Sequence, residues 1–202
     1  MDLFSPQPSE GEWITIRDGL LYWAPQSIER VYASELFEKL KREITFEQKS
    51  INIFGKQRIQ PRLHAWHGDA SYSYSGLTLS PHPWTETLLT LKSICEASSG
   101  QAFNSVLINL YRNGDDSMGW HSDNEPELGK DPTIASISLG ETRTFHLKHI
   151  HSKEKIKMEL NNGSLLVMAG STQHYWQHSL PKTRQTKQER INLTFRYVYP
   201  TA

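Results

Sequence analysis

The second half of the chain consists of short segments that are typical of β-strands and are separated by turns. Each is rich in aliphatic, β-branched or aromatic residues and is bounded by Gly, Pro, Asn, Asp or Ser. Asn162-Gly163, between two of these segments, is a strong signal for a β-hairpin. A succession of short strands favours a β-sandwich or a jelly roll. The predicted strands cover residues 106–111, 134–139, 143–148, 156–160, 164–169 and 191–199.

Two helices are predicted ahead of these strands, and residues 13–22 have room for a short strand and a turn. Ser27 is a suitable N-cap for the first helix, and Gly100 stands where the second helix needs a C-cap. Helices followed by a run of strands indicate an α+β domain, with the helices packed on one side of the sheets. The apolar stripes of the two helices consist of Ile28, Val31, Leu36, Phe37, Leu40 and Ile44, and of Trp84, Leu88, Leu91 and Cys95.

Length and composition limit the class of protein. A chain of 202 residues suits one domain, and we expect a flexible leader over residues 1–12 and the domain over residues 13–202. The single cysteine, Cys95, indicates a reducing compartment, so we expect the cytoplasm, or the nucleus in a eukaryote. The first sixteen residues hold no Lys or Arg, which argues against a signal peptide. No apolar run reaches the roughly 20 residues of a membrane helix, so we expect no membrane association.

The charges are balanced overall but unevenly placed. The chain carries 22 basic and 22 acidic residues, so no global basic field attracts a nucleic acid. Residues 48–68 contain four Lys or Arg and no carboxylate, and residues 182–190 contain four Lys or Arg and one Glu. Residues 113–131 contain six carboxylates and one Lys. Each run, taken alone, is also typical of a solvated loop.

His121 and Asp123 are separated by one residue, and residues i and i+2 of a β-strand point to the same face. With a second histidine they would form the 2-His-1-carboxylate arrangement of non-haem Fe(II) oxygenases. His174 and His178 both precede Pro181 and would share one face of a strand, so the spacing leaves either as the third ligand. A His-x-Asp pair alone is more often a surface feature than a metal site.

Residues 190–196 alternate between polar and apolar side chains along their whole length. The polar face consists of Arg190, Asn192, Thr194 and Arg196. Two arginines that point into a barrel are costly unless they meet anions, and the guanidinium fork suits a dicarboxylate. Asn109 and Tyr111 share a face of another predicted strand and could complete its hydrogen-bond shell. The alternative is an edge strand whose polar face meets water.

These residues stand in four longer motifs: Asn-Leu-Tyr (109–111), Gly-Trp-His-Ser-Asp-Asn-Glu (119–125), Gln-His-Ser-Leu-Pro (177–181) and Arg-Ile-Asn-Leu-Thr-Phe-Arg (190–196). Together they resemble the AlkB family of Fe(II)/2-oxoglutarate dioxygenases, and within it the nucleic-acid-repair branch. The resemblance covers about residues 50–199. It implies a double-stranded β-helix (jelly-roll) core over residues 104–200, preceded by helices and a nucleotide-recognition segment over residues 13–103.

The resemblance also implies roles at the site. Fe(II) would be held by His121, Asp123 and His178, because the family ligand lies in the His-Ser-Leu-Pro context. His174 would then not be a ligand. Arg190 would meet the distal carboxylate of 2-oxoglutarate, and Arg196 would lie near its metal-bound end. The implied 2-oxoglutarate shell consists of Asn109, Tyr111, Arg190, Asn192, Thr194 and Arg196, and O2 is the further co-substrate.

The implied activity is the oxidative demethylation of N-alkylated bases, such as 1-methyladenine and 3-methylcytosine, with release of formaldehyde. A base must be unpaired or flipped out of a duplex to reach a buried metal. Tyr74 is expected to stack on that base, Tyr72 to hydrogen-bond beside it, and Phe54 to wedge into the base stack. Asn124 and Glu125 are expected at the lesion, where family members usually have two acids.

The expected partner is alkylated DNA, with RNA as an alternative, and we expect a monomer. The segment around Phe54 resembles that of the duplex-acting branch, whereas residues 109–129 resemble the homologue that favours single strands and RNA. The preference between single and double strands therefore stays open. The same enzyme class acting on a protein or a small molecule is one alternative, and a non-catalytic nucleic-acid-binding β-sandwich is another. The basic segments 48–68 and 182–190 favour nucleic acid, bound with modest and salt-sensitive affinity.

Overall fold

The structure, a computed structural model, describes residues 10–53, 56–74 and 77–200, and the side chains of all these except residues 51–53, 56, 58, 72–74 and 77–79. Most of the chain is in short strands. The elements are β1 (Glu12–Ile16), β2 (Gly19–Ala24), α1 (Arg30–Glu43), β3 (Ser50–Ile53), β4 (Lys56–Ile59), β5 (Leu63–Gly68), β6 (Tyr72–Tyr74), β7 (Leu77–Leu79), α2 (Glu86–Ser99), β8 (Ser105–Tyr111), β9 (Met118–His121), a 3-10 turn (Pro126–Leu128), β10 (Ile134–Gly140), β11 (Arg143–His149), β12 (Lys155–Leu160), β13 (Ser164–Ala169), α3 (Thr172–Tyr175), β14 (Trp176–Leu180) and β15 (Arg190–Arg196).

Two antiparallel sheets form the body of the fold. The larger sheet has the strand order β1-β2-β13-β10-β15-β8-β5, and the smaller sheet has the order β12-β11-β14-β9. From β8 onward the chain passes repeatedly from one sheet to the other, with only β11 and β12 paired as sequence neighbours. This alternation is the topology of a jelly roll, the fold that the sequence predicts. The hairpins β3–β4 and β6–β7 precede α2.

The larger sheet has an apolar layer on each of its faces. Leu40 of α1 and Leu91 of α2 are fully buried in a core cluster that includes Ile137 of β10. A second cluster joins Leu107 of the larger sheet to Leu147 of the smaller one. Alternate side chains of one strand therefore serve two different layers. No helix in the described part of the chain is long and apolar enough to span a membrane.

The prediction of a β-hairpin at Asn162-Gly163 is wrong. β12 pairs with β11 in the smaller sheet, whereas β13 pairs with β10 and β2 in the larger one. The turn therefore carries the chain between sheets. Gly163 has a φ of 85°, and a Cβ there would lie 2.4 Å from the carbonyl oxygen of Ile28. The glycine is required by the positive φ of this turn and by close packing against the segment before α1. A hairpin turn at this position would also favour glycine, so the sequence does not separate the two kinds of turn.

Two predicted boundaries also differ from the structure. The last strand ends at Arg196, because the backbone N–H of Val198 bonds to the Asn104 side chain instead of to a neighbouring strand. The first helix is capped by Glu29, whose carboxylate accepts from the backbone of Tyr32, so Ser27 is not its N-cap. Val31, placed in the apolar stripe by its spacing, is 63% exposed.

Candidate functional site

A polar cavity lies between the two sheets and collects most of the residues that the sequence singles out. The larger sheet supplies polar side chains from β8, β10 and β15, and the smaller sheet supplies residues from β9, β11 and β14. The residues that line it are Leu107, Asn109, Tyr111, Met118, His121, Asp123, Ser136, Phe145, Met168, His178, Leu180, Arg190, Asn192, Thr194 and Arg196.

His121, Asp123 and His178 form the only group of metal-ligating side chains found in the described part of the chain. One potential ligand atom from each residue lies within 4.8 Å of the others. His121 and His178 are register partners on β9 and β14, and their ring centroids are 4.2 Å apart. The three side chains are therefore close enough to share one ion.

Asp123 does not lie on a strand, so the prediction that it shares a strand face with His121 is wrong. β9 ends at His121, and Asp123 follows two residues later. Its backbone N–H donates to Oε1 of Gln173 at 2.9 Å, and Gln173 is buried. A side chain fifty residues further along the chain thus fixes the carboxylate, which local alternation cannot do.

The charged guanidinium of Arg196 is the main reason that Asp123 is ionised at neutral pH. Burial alone would raise the pKa of Asp123, but Arg196, His178 and His121 together lower it to about 2. Nη2 of Arg196 donates to Oδ1 of Asp123 at 2.8 Å. Oδ2 of Asp123 is buried and has no hydrogen-bond partner among the described residues. One carboxylate oxygen is thus held by the arginine, and the other is left to meet a cation.

Both histidines of the group have imidazole nitrogens suited to metal binding. Burial, and then His121, lower the pKa of His178 to about 3, so its ring is neutral at physiological pH. Nδ1 of His121 lies 2.8 Å from the carbonyl oxygen of Gly119, which can only accept. His121 therefore donates through Nδ1–H, which makes Nε2 the nitrogen available to a metal. A backbone carbonyl that fixes the tautomer in this way is usual for metal-binding histidines.

The choice between the two downstream histidines, which spacing leaves open, follows from the elements that carry them. His178 lies on β14 and is 5% exposed, with its ring beside His121. His174 lies on the four-residue helix α3 and is exposed. The two residues are therefore not on one strand, and only His178 belongs to the group.

Arg190 is a buried cation whose hydrogen bonds are incomplete. It is 1% exposed, donates from Nη2 to the Ser138 hydroxyl at 2.8 Å, and lies 5.3 Å from the ring centre of Tyr111. Its Nε and Nη1 have no hydrogen-bond partner among the described residues. Burial lowers the pKa of Arg190 to about 10, which still leaves it charged at neutral pH. A buried guanidinium with two open donors suits a carboxylate that enters the cavity.

β15 is a central strand, so the alternative of a solvated edge strand is wrong. It pairs with β10 on one side and β8 on the other. Asn192 donates to the Ser136 hydroxyl at 2.8 Å, and Thr194 lines the cavity. Asn109, directly opposite Asn192 on β8, accepts from Nε of Arg62 at 2.8 Å. The predicted dicarboxylate residues therefore share one wall of the cavity.

Three residues that support the site were not predicted from the sequence. Gln173 holds Asp123, Arg62 holds Asn109, and Arg143 donates to the carbonyl oxygens of Asn113, Asp116 and Pro181. Arg62 lies in the basic segment 48–68, which the sequence indicates to be a solvated or nucleic-acid-binding stretch. Its burial distinguishes it from a solvated arginine, and burial cannot be read from the sequence. Gln173 and Arg143 carry no comparable signal.

The predicted substrate residues are only partly visible. Asn124 is exposed and Glu125 is half-buried, both directly after Asp123. Oε2 of Glu125 is buried without a hydrogen-bond partner among the described residues. Phe54 and the side chains of Tyr72 and Tyr74 lie outside the described part of the structure.

Comparisons with known proteins agree with this site. The family model of the 2OG-Fe(II) oxygenase superfamily matches residues 20–196. Alpha-ketoglutarate-dependent dioxygenase alkB homolog 3 of Bos taurus is 43% identical over 186 residues, which are 87% of this chain and 65% of that protein. The Mus musculus protein of the same name is 42% identical, over 88% of this chain and 69% of its own length. DNA oxidative demethylase ALKBH2 of Mus musculus is 39% identical, over 84% of this chain and 76% of that one.

The chain spans 62 to 65% of the length of the cattle, human and rat alkB homolog 3 proteins. The solved structure of OsALKBH1 superposes with a TM-score of 0.63 over 91% of this chain and 100% of that one. At 15% identity, that superposition shows a shared fold. On the family match and on the identity to relatives that it largely spans, the chain belongs to the AlkB family of the 2OG-Fe(II) oxygenase superfamily.

Proposed function

We propose that this chain is an Fe(II)- and 2-oxoglutarate-dependent dioxygenase that removes methyl groups from N-alkylated bases, such as 1-methyladenine and 3-methylcytosine, in nucleic acid. The observation that carries the proposal is one cavity that holds a 2-His-1-carboxylate group and an incompletely bonded buried arginine. The names of the relatives, a dioxygenase and a DNA oxidative demethylase, support it.

The residues present fit an Fe(II) ion. Oδ2 of Asp123 is a buried oxygen of an ionised carboxylate and has no hydrogen-bond partner among the described residues, and the imidazoles of His121 and His178 lie beside it. Three ligands on one side leave room for other ligands on the opposite side, as this class of site requires. When bound, iron with 2-oxoglutarate and O2 supplies the oxidation of the methyl carbon, and formaldehyde then leaves the restored base.

Arg190 would hold the distal carboxylate of 2-oxoglutarate through Nε and Nη1, the donors that the protein leaves open. Tyr111 and Asn109 lie on the adjacent strand and would complete that shell with Asn192 and Thr194. Arg196 has a different task, because it already donates to Asp123. It would keep the carboxylate ionised and oriented at the end of the cavity where the metal binds.

A carboxylate next to the metal-ligating group in the sequence would suit a cationic base. Glu125 follows the group and has a buried oxygen with no partner among the described residues. Both 1-methyladenine and 3-methylcytosine carry a positive charge, so a desolvated carboxylate would favour them over the unmodified bases. Asn124 would accept a hydrogen bond there without adding charge. The stacking and wedging roles that we propose for Tyr74, Tyr72 and Phe54 rest on the motif resemblance.

A demethylation assay tests the proposal. Purified protein would be given Fe(II), 2-oxoglutarate, O2 and an oligonucleotide with one 1-methyladenine, in parallel as single-stranded DNA, duplex DNA and RNA. We expect formaldehyde and succinate in equal amounts, and loss of both in Asp123→Ala and His178→Ala. His174→Ala is the matched control, because that exposed histidine lies outside the group. Product formation that survives Asp123→Ala would contradict the proposal.

A further inference from the structure

The outer face of the smaller sheet carries a compact set of aromatic and basic side chains. We call it the basic face, and it consists of Trp120, His146, Lys148, Lys155 and Lys157. Residues directly opposite each other in an antiparallel pair share a face, and His146 faces Lys157 while Lys148 faces Lys155. The alternate residues Phe145, His121 and His178 point into the cavity. The basic face is therefore the other side of the sheet that carries the metal-ligating histidines.

Trp120 is the aromatic centre of this face. It is 42% exposed. The ammonium group of Lys148 lies 4.5 Å from its ring centre, and the His146 ring lies 6.4 Å away. An exposed indole with a cation at its ring offers stacking area and positive charge at one point.

The basic face has a clear excess of positive charge. Lys155 and Lys157 are exposed, Lys148 is half-buried, and none of the three forms an ion pair with another described residue. Among the outward residues of the four strands the only carboxylate is Glu159, which stands opposite Thr144 and next to the His146–Lys157 pair. Burial, and then Lys157, lower the pKa of His146, while the nearby Glu159 opposes this effect and Lys155 adds to it.

We propose that the basic face is a binding platform for single-stranded nucleic acid, in which one base stacks on Trp120 and the lysines contact phosphates. Proteins that bind single strands combine aromatic platforms with a positive surface that follows the backbone. The proposal deepens the proposed function, on which it rests, by naming how the nucleotides next to the lesion are held. It favours an unpaired strand, since a paired base cannot stack on a surface side chain.

Continuity with the cavity supports this occupant. Trp120 and His121 are consecutive residues of β9, the last strand of the smaller sheet. Trp120 faces outward, whereas His121 lines the cavity. A strand lying on the basic face would thus cross the edge at β9 and reach the metal-ligating group within a few nucleotides.

The charge arm of the test compares Lys155→Glu/Lys157→Glu with Lys39→Glu/Arg42→Glu. The second pair reverses two exposed charges on α1, so both variants change net charge equally. Binding of an unmodified single strand of about 15 nucleotides would be measured without iron or 2-oxoglutarate, between about 50 and 200 mM salt. The readout does not depend on demethylation, so it separates failure of the platform from failure of the proposed activity.

We expect the face variant to bind at least about tenfold more weakly at the lower salt, and the slope of log Kd against log salt to fall by about 1.4, from 0.7 per lost phosphate contact. The control variant should keep the wild-type slope. Equal weakening in both variants, or no change in the face variant, would overturn the proposal. Polyglutamate that binds the wild type as tightly as the oligonucleotide does would overturn it as well.

The stacking arm uses Trp120→Ala and Trp120→Phe. Alanine should weaken single-strand binding by about five- to hundredfold, the range for one stacked base, and phenylalanine should restore most of it. An abasic strand of equal length should bind wild type and Trp120→Ala equally well. If Trp120 only supported the structure of the face, its replacement would weaken binding of both strands. Equal losses on the normal and abasic strands would overturn the stacking assignment, with thermal midpoints measured to confirm folding.

Discussion

Arg196 and Asp123 form a buried ion pair in which Nη2 of the arginine lies 2.8 Å from Oδ1 of the carboxylate. The arginine ends β15 of the larger sheet, and the carboxylate follows β9 of the smaller one. The pair therefore ties the two sheets together at the metal-ligating group. It also explains how the carboxylate stays ionised although it is buried.

Replacing Arg196 with methionine should destabilise the protein. Removing one partner of a buried pair leaves an uncompensated charge, at a cost of about 3–5 kcal/mol. Urea unfolding at neutral pH measures this free energy. Adding Asp123→Asn to Arg196→Met should recover part of the loss, because the stranded charge is then gone. If Arg196→Met alone unfolds at the wild-type urea concentration, the pair does not stabilise the fold as described.

Replacing Arg190 with methionine should abolish stabilisation by 2-oxoglutarate. A ligand that binds only the native state at 100 times its Kd stabilises by about 2.7 kcal/mol. We expect this for the wild type with Fe(II) under anaerobic conditions, and for Arg184→Met, which changes an exposed arginine. Thermal unfolding with and without 2-oxoglutarate gives the comparison. Equal stabilisation of Arg190→Met and wild type would remove Arg190 from the dicarboxylate shell.

Stability should fall as the solution is acidified below about pH 6.5. Burial, and then Arg62, lower the pKa of His64 to about 4 in the folded protein, from an ordinary value of 6.5. The unfolded chain therefore binds more protons than the folded chain between these values, and the free energy of unfolding decreases as pH falls from 6.5 to 4. His178 acts in the same direction down to about pH 3, and Asp123 acts between 3.8 and about 2.

His64→Asn tests this pH dependence. Both ring nitrogens of His64 are buried without a hydrogen-bond partner among the described residues. No hydrogen bond to the ring would therefore offset the cost of protonating it in the folded protein. Urea unfolding across this pH range should show a shallower decline in His64→Asn than in wild type. His151→Asn, at an exposed position, should keep the wild-type profile. Identical profiles for all three proteins would contradict the assignment.

Gln173→Leu should weaken iron binding without unfolding the protein. Gln173 accepts from the backbone of Asp123 and thereby orients a ligand, and loss of such a supporting partner costs about 10- to 100-fold in metal affinity. Anaerobic calorimetry with Fe(II) measures the affinity, with Gln188→Leu as an exposed control. An unchanged affinity in Gln173→Leu would show that the Asp123 loop holds its position without this contact.

Local patterns predicted what depends on backbone periodicity. The alternation along β15 identified its polar face, because side chains of a strand alternate wherever the strand lies. Gly100 was identified as a C-cap and adopts a left-handed φ of 67° at the end of α2. Neither feature needs information from distant parts of the chain.

What the sequence did not reveal depends on tertiary contacts. Asn162-Gly163 has the composition of a hairpin turn, but the apolar side chains of β12 and β13 are buried in different sheets. Asp123 is positioned by Gln173, fifty residues away, and not by a strand. The hairpins β3–β4 and β6–β7 were missed because strands of three or four residues are too short to show a period.

Mass spectrometry of an oligonucleotide with one 1-methyladenine is the most direct test of the central claim. With Fe(II), 2-oxoglutarate and O2, we predict that the wild type and His174→Ala convert the modified strand to the unmodified mass, while Asp123→Ala and Arg190→Met leave it unchanged. A strand that keeps its methyl group with folded, iron-loaded wild type on both DNA and RNA would contradict the account, and so would methyl loss that persists in Asp123→Ala.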